Sequence, residues 1–220
     1  MKTILFAFLL ISTSFYAQNY EKNWNKVIEN ENNGKIKSAN AIVAKIHKKA
    51  IADKNEVQII KCFFYESKYL QVVDENAQTK IINNLKTEIS KASVPSKAIL
   101  NLVYAKCLDD YRKRNPQNFL IGIGDDDSVP FDSITKAFDS INPRTNKLLP
   151  FSPKENVAHY FENTLKNEVI LKSVPLSKYE ELFDFFSSEK FNKENLYDYL
   201  LKENIAFYTK KIEQWGINKS

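Results

Sequence analysis

Glycine is scarce, four in 220 residues, and proline numbers only seven. A sandwich or barrel of many short strands would need far more turn residues, so an all-β reading is disfavoured. Cysteines number only two, Cys62 and Cys107, and an exported chain could pair them. Both sit in helical patterns, and buried free thiols are the expectation over a bridge between them. Two histidines, His47 and His159, lie far apart with no cysteine or carboxylate at ligand spacing. Zinc needs three or four convergent ligands, and no such cluster is written here. Charge of one sign is lacking too. Thirty-two basic against 27 acidic residues give +5, and +4 once Lys2 is lost with a leader. So small and dispersed a surplus does not argue for nucleic acid.

Long apolar runs are absent after the N-terminus. Lys2 followed by Ile4 to Ile11 (ILFAFLLI), polar Ser12 to Ser14, and then Ala17-Gln18 has the layout of a secretory signal peptide. The run is far below the ~20 apolar residues of a membrane span. A cut after Ala17 or Gln18 is expected, and the competing reading is a buried N-terminal helix. No cysteine follows the run, so lipid attachment is not supported. The protein is therefore expected to be exported, periplasmic or extracellular, with no membrane span after the leader is removed.

What is present is helical periodicity. Trp24, Val27 and Ile28 share one face of a first helix, and Gly34 follows as a stop signal. Ile36, Ala39, Val43, Ile46 and Ala50 recur at three and four. Asp53 or Asn55 can cap a third helix with Val57, Ile60, Phe63, Phe64 and Ser67 inward. Ala77, Ile81, Ile82, Leu85 and Ile89 mark a fourth. Pro95 opens a fifth through Ile99, Leu102, Val103, Leu108 and Tyr111. Connections are short, so neighbours should pack antiparallel. The expected fold is all-α, antiparallel helical hairpins stacked in a tetratricopeptide-like or irregular solenoid arrangement, although the residue signature of that repeat is absent.

Prolines gather between 115 and 153, where the helical period is lost. Only a short extended piece at Phe119 to Ile121 and a short helix at Ser133 to Ser140 are expected there. The organisation read from the sequence is a leader at 1–18, a helical-hairpin stack at 19–115, a loop-rich excursion at 116–153 and C-terminal helices at 154–220. These last comprise a helix through Val157, Tyr160, Phe161, Thr164 and Leu165, a short one at Ser177 to Phe186, and a final one at Leu196 to Trp215.

Gly122 to Asp127 places three adjacent carboxylates after two glycines. A calcium loop needs ligands at alternating positions and a terminal bidentate Glu, so a solvated acidic turn is the better reading. A phosphate cradle would need a further Gly or a Lys-Ser/Thr pair. The run Lys45 to Lys49 around His47 reads as a solvated face, and His159 as a surface residue. Glu66, Glu180 and Glu181 have no evident partner, and no nucleophile elbow is present. No catalytic, cofactor-binding or metal-binding residue is expected. An enzyme with a site in the 115–153 excursion, where Asp125 to Asp127 meet a His or Arg, is the competing class. The aromatics, Phe63 to Tyr65, Phe183 to Phe186 and Phe207-Tyr208, read mainly as core, with some left to line a groove for a protein partner.

Eight short segments occur in a telling order: Tyr20 to Val27, Gly34 to Ala39, Val43 to Ala50, Gln58 to Lys61, Pro95 to Leu100, Tyr179 to Leu182, Asn195 to Leu200, and Ala206 to Tyr208. Together they resemble the N-terminal helical region of large exported bacterial alpha-2-macroglobulin-like proteins, over most of residues 19–210. That family entraps proteases, and many members carry a thioester in a Cys-x-Glu-Gln motif. Cys62 is followed by Phe-Phe-Tyr and Cys107 by Leu-Asp-Asp, so neither matches, and no functional residue carries over. The resemblance implies a non-catalytic leader module without trap or sandwich domains. Its partner would be a macroglobulin-like body or another envelope protein. A severed leader should expose an apolar patch near Ile205 to Ile212. The alternative is a free-standing tetratricopeptide-like periplasmic adaptor.

Expressed with its own N-terminus in a bacterium that has a periplasm, the protein recovered from that compartment should begin at Gln18 or Asn19. N-terminal sequencing that finds Met1 on all of it would remove the leader reading.

Overall fold

The computed structural model describes residues 20–114, 156–182 and 194–217, with side chains of the last helix through residue 213. Several sequence expectations lie outside these residues: the leader at 1–18, the pieces at 119–121 and 133–140, the acidic triplet at 125–127, Phe183 to Phe186 and the side chain of Trp215. The described chain is all-α. Eight helices and a 3-10 turn are joined mostly by short connections, and each packs on chain neighbours. Among the described residues no helix is long and apolar enough to cross a membrane. Two compact units divide between Asp74 and Glu75.

The first unit is a three-helix stack: α1 at 20–32, α2 at Ile36–Ala52 and α3 at Glu56–Val73. Gly34 ends α1 in the left-handed region, at φ 68. Its N–H donates to the Glu31 carbonyl and that of Lys35 to the Asn30 carbonyl, satisfying carbonyls that the helix end leaves open. A Cβ at Gly34 would meet nothing within 4 Å, so the demand for glycine is conformational. The turn between α2 and α3 repeats the geometry without glycine. Lys54 takes φ 53, and the Asn55 N–H donates to the Ala50 carbonyl. Of the two expected caps, Asn55 is the one used: its Oδ1 accepts from the Gln58 N–H at 3.3 Å.

Residues four and three apart meet in the core of this unit. Tyr20, Trp24 and Val27 of α1 pack with Ala39, Val43, Ile46 and Ala50 of α2, and with Cys62 and Tyr69 of α3. Each large aliphatic residue buried there contributes about 1.5–3 kcal/mol. Two expectations need correction. Ile28 is not on the inner face but 44% exposed. On α3 the side turned to α1 and α2 carries Ile59, Cys62, Tyr65 and Tyr69, not the expected Val57, Phe64 and Ser67. Ile60 and Phe63 are also buried, so α3 hides more than one face and a single stripe cannot describe it.

Polar anchors fix the register. Trp24 Nε1–H donates to Gln58 Oε1 at 2.6 Å, in the interior. The Tyr65 ring lies 4.7 Å from that of Trp24, and Lys61 Nζ sits 4.7 Å from the Trp24 ring. The Tyr20 hydroxyl donates to Asp53 Oδ2 at 2.7 Å, and Lys49 reaches the same oxygen at 2.6 Å. The Lys49 and Tyr20 hydrogen bonds hold the Asp53 carboxyl below its usual range. Lys68 returns from α3 to Glu31 at 2.8 Å. The Tyr69 hydroxyl is buried without a hydrogen bond. Burial, then the Glu31 carboxylate beside it, keeps that hydroxyl protonated well above the ordinary range.

The second unit contains α4 at Ala77–Lys91, α5 at Val94–Arg114, α6 at Val157–Asn163 and α7 at Glu168–Lys172. The 3-10 turn at Leu176–Leu182 and α8 at Leu196–Ile217 complete it. Helix α5 is its spine and touches α4, α6, α7 and α8. It buries Ala98, Ile99, Leu100, Leu102, Tyr104, Ala105, Leu108 and Tyr111, which together circle much of its girth. Helix α8 starts where Leu176 N–H donates to the Glu194 carbonyl and Leu196 N–H to the Val174 carbonyl, an isolated antiparallel bridge. At the far end of α6, Asn204 Nδ2 donates to Thr164 Oγ1 and to the Leu200 carbonyl, each at 2.9 Å.

Both cysteines are free thiols. Cys62 is buried as expected, and burial pushes its thiol up to about 12. Cys107, in contrast, is exposed: its position on α5 falls outside the packed arc.

Replacing Trp24 by Phe removes a buried donor to Gln58 Oε1 and should lower the unfolding free energy by about 1–3 kcal/mol. Tyr69→Phe, which loses no hydrogen bond, should change it by less than about 1 kcal/mol. Urea unfolding of both variants checks the contrast, and equal effects would show that the Trp24 bond contributes nothing specific.

Candidate functional site

A cleft of about 440 Å³ lies in the second unit, between α5, α6 and α8. Its floor is apolar: Val157 and Phe161 of α6, Ala206 and Phe207 of α8. Phe161 is 3% exposed, and its ring stacks on Phe207 at 4.1 Å with 16° between planes. Phe207 is half-buried, so one side of that stack remains open to solvent.

The walls are charged. Helix α5 supplies Lys106, Asp109, Asp110, Arg112 and Lys113, and α8 supplies Glu203, Lys210 and Lys211. The lining thus holds five cationic and three anionic side chains. Each anion already faces a cation. Asp109 takes Lys113 four residues on, Glu203 takes Lys106 across the cleft at 2.7 Å, and Asp110 lies 4.0 Å from Arg114. Lys210 makes no ion pair with a described residue. The side chains of the cleft are suited to binding by charge and apolar contact.

The aromatic Phe207-Tyr208 pair divides its work. Phe207 floors the cleft, while the Tyr208 hydroxyl donates to Glu162 Oε1 at 3.0 Å on α6. On the neighbouring face of α8, Ile205 and Ile212 are 56% and 67% exposed. They stand seven residues apart, two turns along one side of the helix.

The other residues weighed from the sequence do not converge. His47 does have a carboxylate partner, contrary to the spacing argument: its Nδ1 lies 3.0 Å from Glu66 Oε1 across the α2–α3 hairpin. That separation of 19 residues is invisible to a search along one helix. Lys45 and Lys48 are exposed, and Lys49 binds Asp53. His159 is half-buried, edge-on to Tyr160 at 5.6 Å, and not simply a surface residue. Glu180 and Glu181 are exposed on the 3-10 turn. No group of three potential metal ligands occurs among the described residues. Asp125 to Asp127 lie outside them.

Tyr208 gives the cleft region a pH signature. Burial, then the hydrogen bond to the Glu162 carboxylate, pushes its hydroxyl up from 10.0 to about 12. A proton held more tightly in the folded state stabilises it fully below the unfolded value, and that contribution is lost as pH rises through the folded one. Stability should therefore fall between about pH 10 and 12. Thermal melts across this range should show a shallower decline for Tyr208→Phe than for the parent protein; parallel curves would remove Tyr208 from the alkaline response.

No family model, curated protein or solved structure matches this chain.

Proposed function

We propose that this protein is an exported, non-catalytic helical module that docks a protein partner, related to the leader region of macroglobulin-like protease inhibitors. The observation that carries the reading is the surface of α8. It joins an apolar-floored, charge-walled cleft to a neighbouring face on which Ile205 and Ile212 stand exposed. Exposed apolar positions beside a concave site are the usual mark of a surface that another protein covers. A leader module packed on a macroglobulin-like body would cover such a face. Export is supported by the order of Lys2, the apolar run and Ala17. The modest charge surplus favours a protein partner over nucleic acid.

A photo-crosslinking residue at Ala206, in the cleft, and another at Asn84, exposed on α4, test the reading in the native cell envelope. One discrete adduct is expected from position 206 and none from 84, with the captured protein identified by mass spectrometry. A macroglobulin-like body as that protein supports the leader relationship, and a different envelope protein supports the free-standing adaptor. Adducts of equal pattern at both positions, or none at 206, would remove the docking role.

A further inference from the structure

We infer that Asn33 is a site of spontaneous deamidation, at which the α1–α2 turn loses ammonia and acquires a carboxylate, and that the hydrogen bonds of that turn set the pace. The inference is independent of the docking role proposed above.

Asn33 is the only asparagine in the chain that a glycine follows. Asparagine is a thermolabile residue. Its deamidation starts when the backbone nitrogen of the next residue gives up its proton and attacks the side-chain amide carbon. The bond from that carbon to Nδ2 breaks, Nδ2 leaves as ammonia, and a five-membered imide remains. Water then opens the imide. Addition at Cγ gives aspartate. Addition at the backbone carbonyl gives isoaspartate, in which the chain runs through the former side chain. The balance is asparagine plus water to acid plus ammonia, with nothing oxidised or reduced. Glycine presents the attacking nitrogen without a Cβ to obstruct it.

Both reacting groups lie at the surface. Asn33 and Gly34 are exposed, and a Cβ at Gly34 would meet nothing within 4 Å. The Asn33 side chain makes no hydrogen bond with a described residue. Other asparagine amides are held. Asn30 Nδ2 donates to the Lys26 carbonyl, Asn101 Nδ2 to the Lys97 carbonyl, and Asn204 Nδ2 to Thr164 and Leu200.

The turn itself restrains the reaction. The attacking group, Gly34 N–H, donates to the Glu31 carbonyl at 2.9 Å. On either side, Asn33 N–H donates to Glu29 at 3.1 Å and Lys35 N–H to Asn30 at 2.8 Å. The Gly34 bond must open before its nitrogen can reach the Asn33 side chain. The product cannot restore the turn in full. Isoaspartate adds a methylene to the backbone between positions 33 and 34, which the paired bonds of the helix end do not accommodate. Either acid also sets a negative charge just beyond the C-terminal end of α1, where the helix dipole opposes it and Glu31 is close in the chain. Helix α1, which carries Tyr20 and Trp24, is thereby loosened at its far end.

Peptide mapping by mass spectrometry, with fragmentation that separates aspartate from isoaspartate, tests this. The full chain is incubated in mildly alkaline buffer beside a synthetic peptide of residues 31–37. Asn33 should convert before any other asparagine, and faster as hydroxide rises. Conversion in the folded chain should run about threefold to tenfold slower than in the peptide, the effect of opening one turn hydrogen bond. Urea should erase that difference. The aged chain should melt below the fresh one. Asn33→Asp, which adds the charge without the methylene, should melt between them. Asn33→Gln, which can close only a six-membered imide, should keep its melting temperature on ageing. Another asparagine converting first, a folded rate equal to that of the peptide, or no conversion at Asn33 after the peptide is spent would overturn the inference. So would an aged chain, converted at Asn33, that melts with the fresh one.

Discussion

A helix of a dozen or so residues cannot hold itself in water, and every helix here is held by the face it shares with another. The requirement is plainest where α1 meets α3. Trp24 inserts among α2 and α3 side chains and spends its single donor on Gln58, so the packing and the hydrogen bond fix the same register. Tyr20 does likewise at the other end, through Asp53 in the turn between α2 and α3. Each anchor lets a large apolar surface be buried without orphaning the polar atom it carries. In the second unit the same duty falls on α5, whose buried residues nearly circle it, and on the Asn204–Thr164 bond that fastens α8 to the end of α6.

That dependence on shared faces decides what the sequence discloses. Helix α2 touches its neighbours on one side, and Ala39, Val43, Ile46 and Ala50 announce that side by their spacing. Helix α3 buries Cys62 and Tyr69 on one side, and also hides Ile60 and Phe63. Its pattern is a superposition, and reading it as a single stripe found Ile60 and Phe63 but missed Cys62 and Tyr69. Gly34 was legible as a stop because the left-handed backbone favours glycine. The equivalent turn at Lys54 carries no such sign, since a lysine gives no hint that it will take φ 53.

The candidate site was less legible than the fold. No motif marks the cleft, because its walls come from α5 and α8, roughly ninety residues apart along the chain, and its floor from α6. Lysines that read as a solvated helix surface become one side of a site only when a second helix supplies the other. Ile205 and Ile212 were the exception. They are exposed on α8, at the positions where a severed leader is expected to show an apolar patch. The His47–Glu66 pair belongs to the same class of hidden features as the cleft, a contact made by hairpin register and not by spacing within an element.

The long interval between Arg114 and Asn156 separates α5 from α6, and it gives the molecule a temporal order. Helices α1 to α5 each meet a partner within a few residues of chain, so their closure costs little entropy and can begin as the polypeptide emerges. The α5–α6 contact must wait for some forty more residues to be made, and the α8 wall for another forty beyond that. The cleft can therefore close only after α8 has been made. A chain cut before α8 would lack one wall of the cleft and the α8 contacts of α5 and α7.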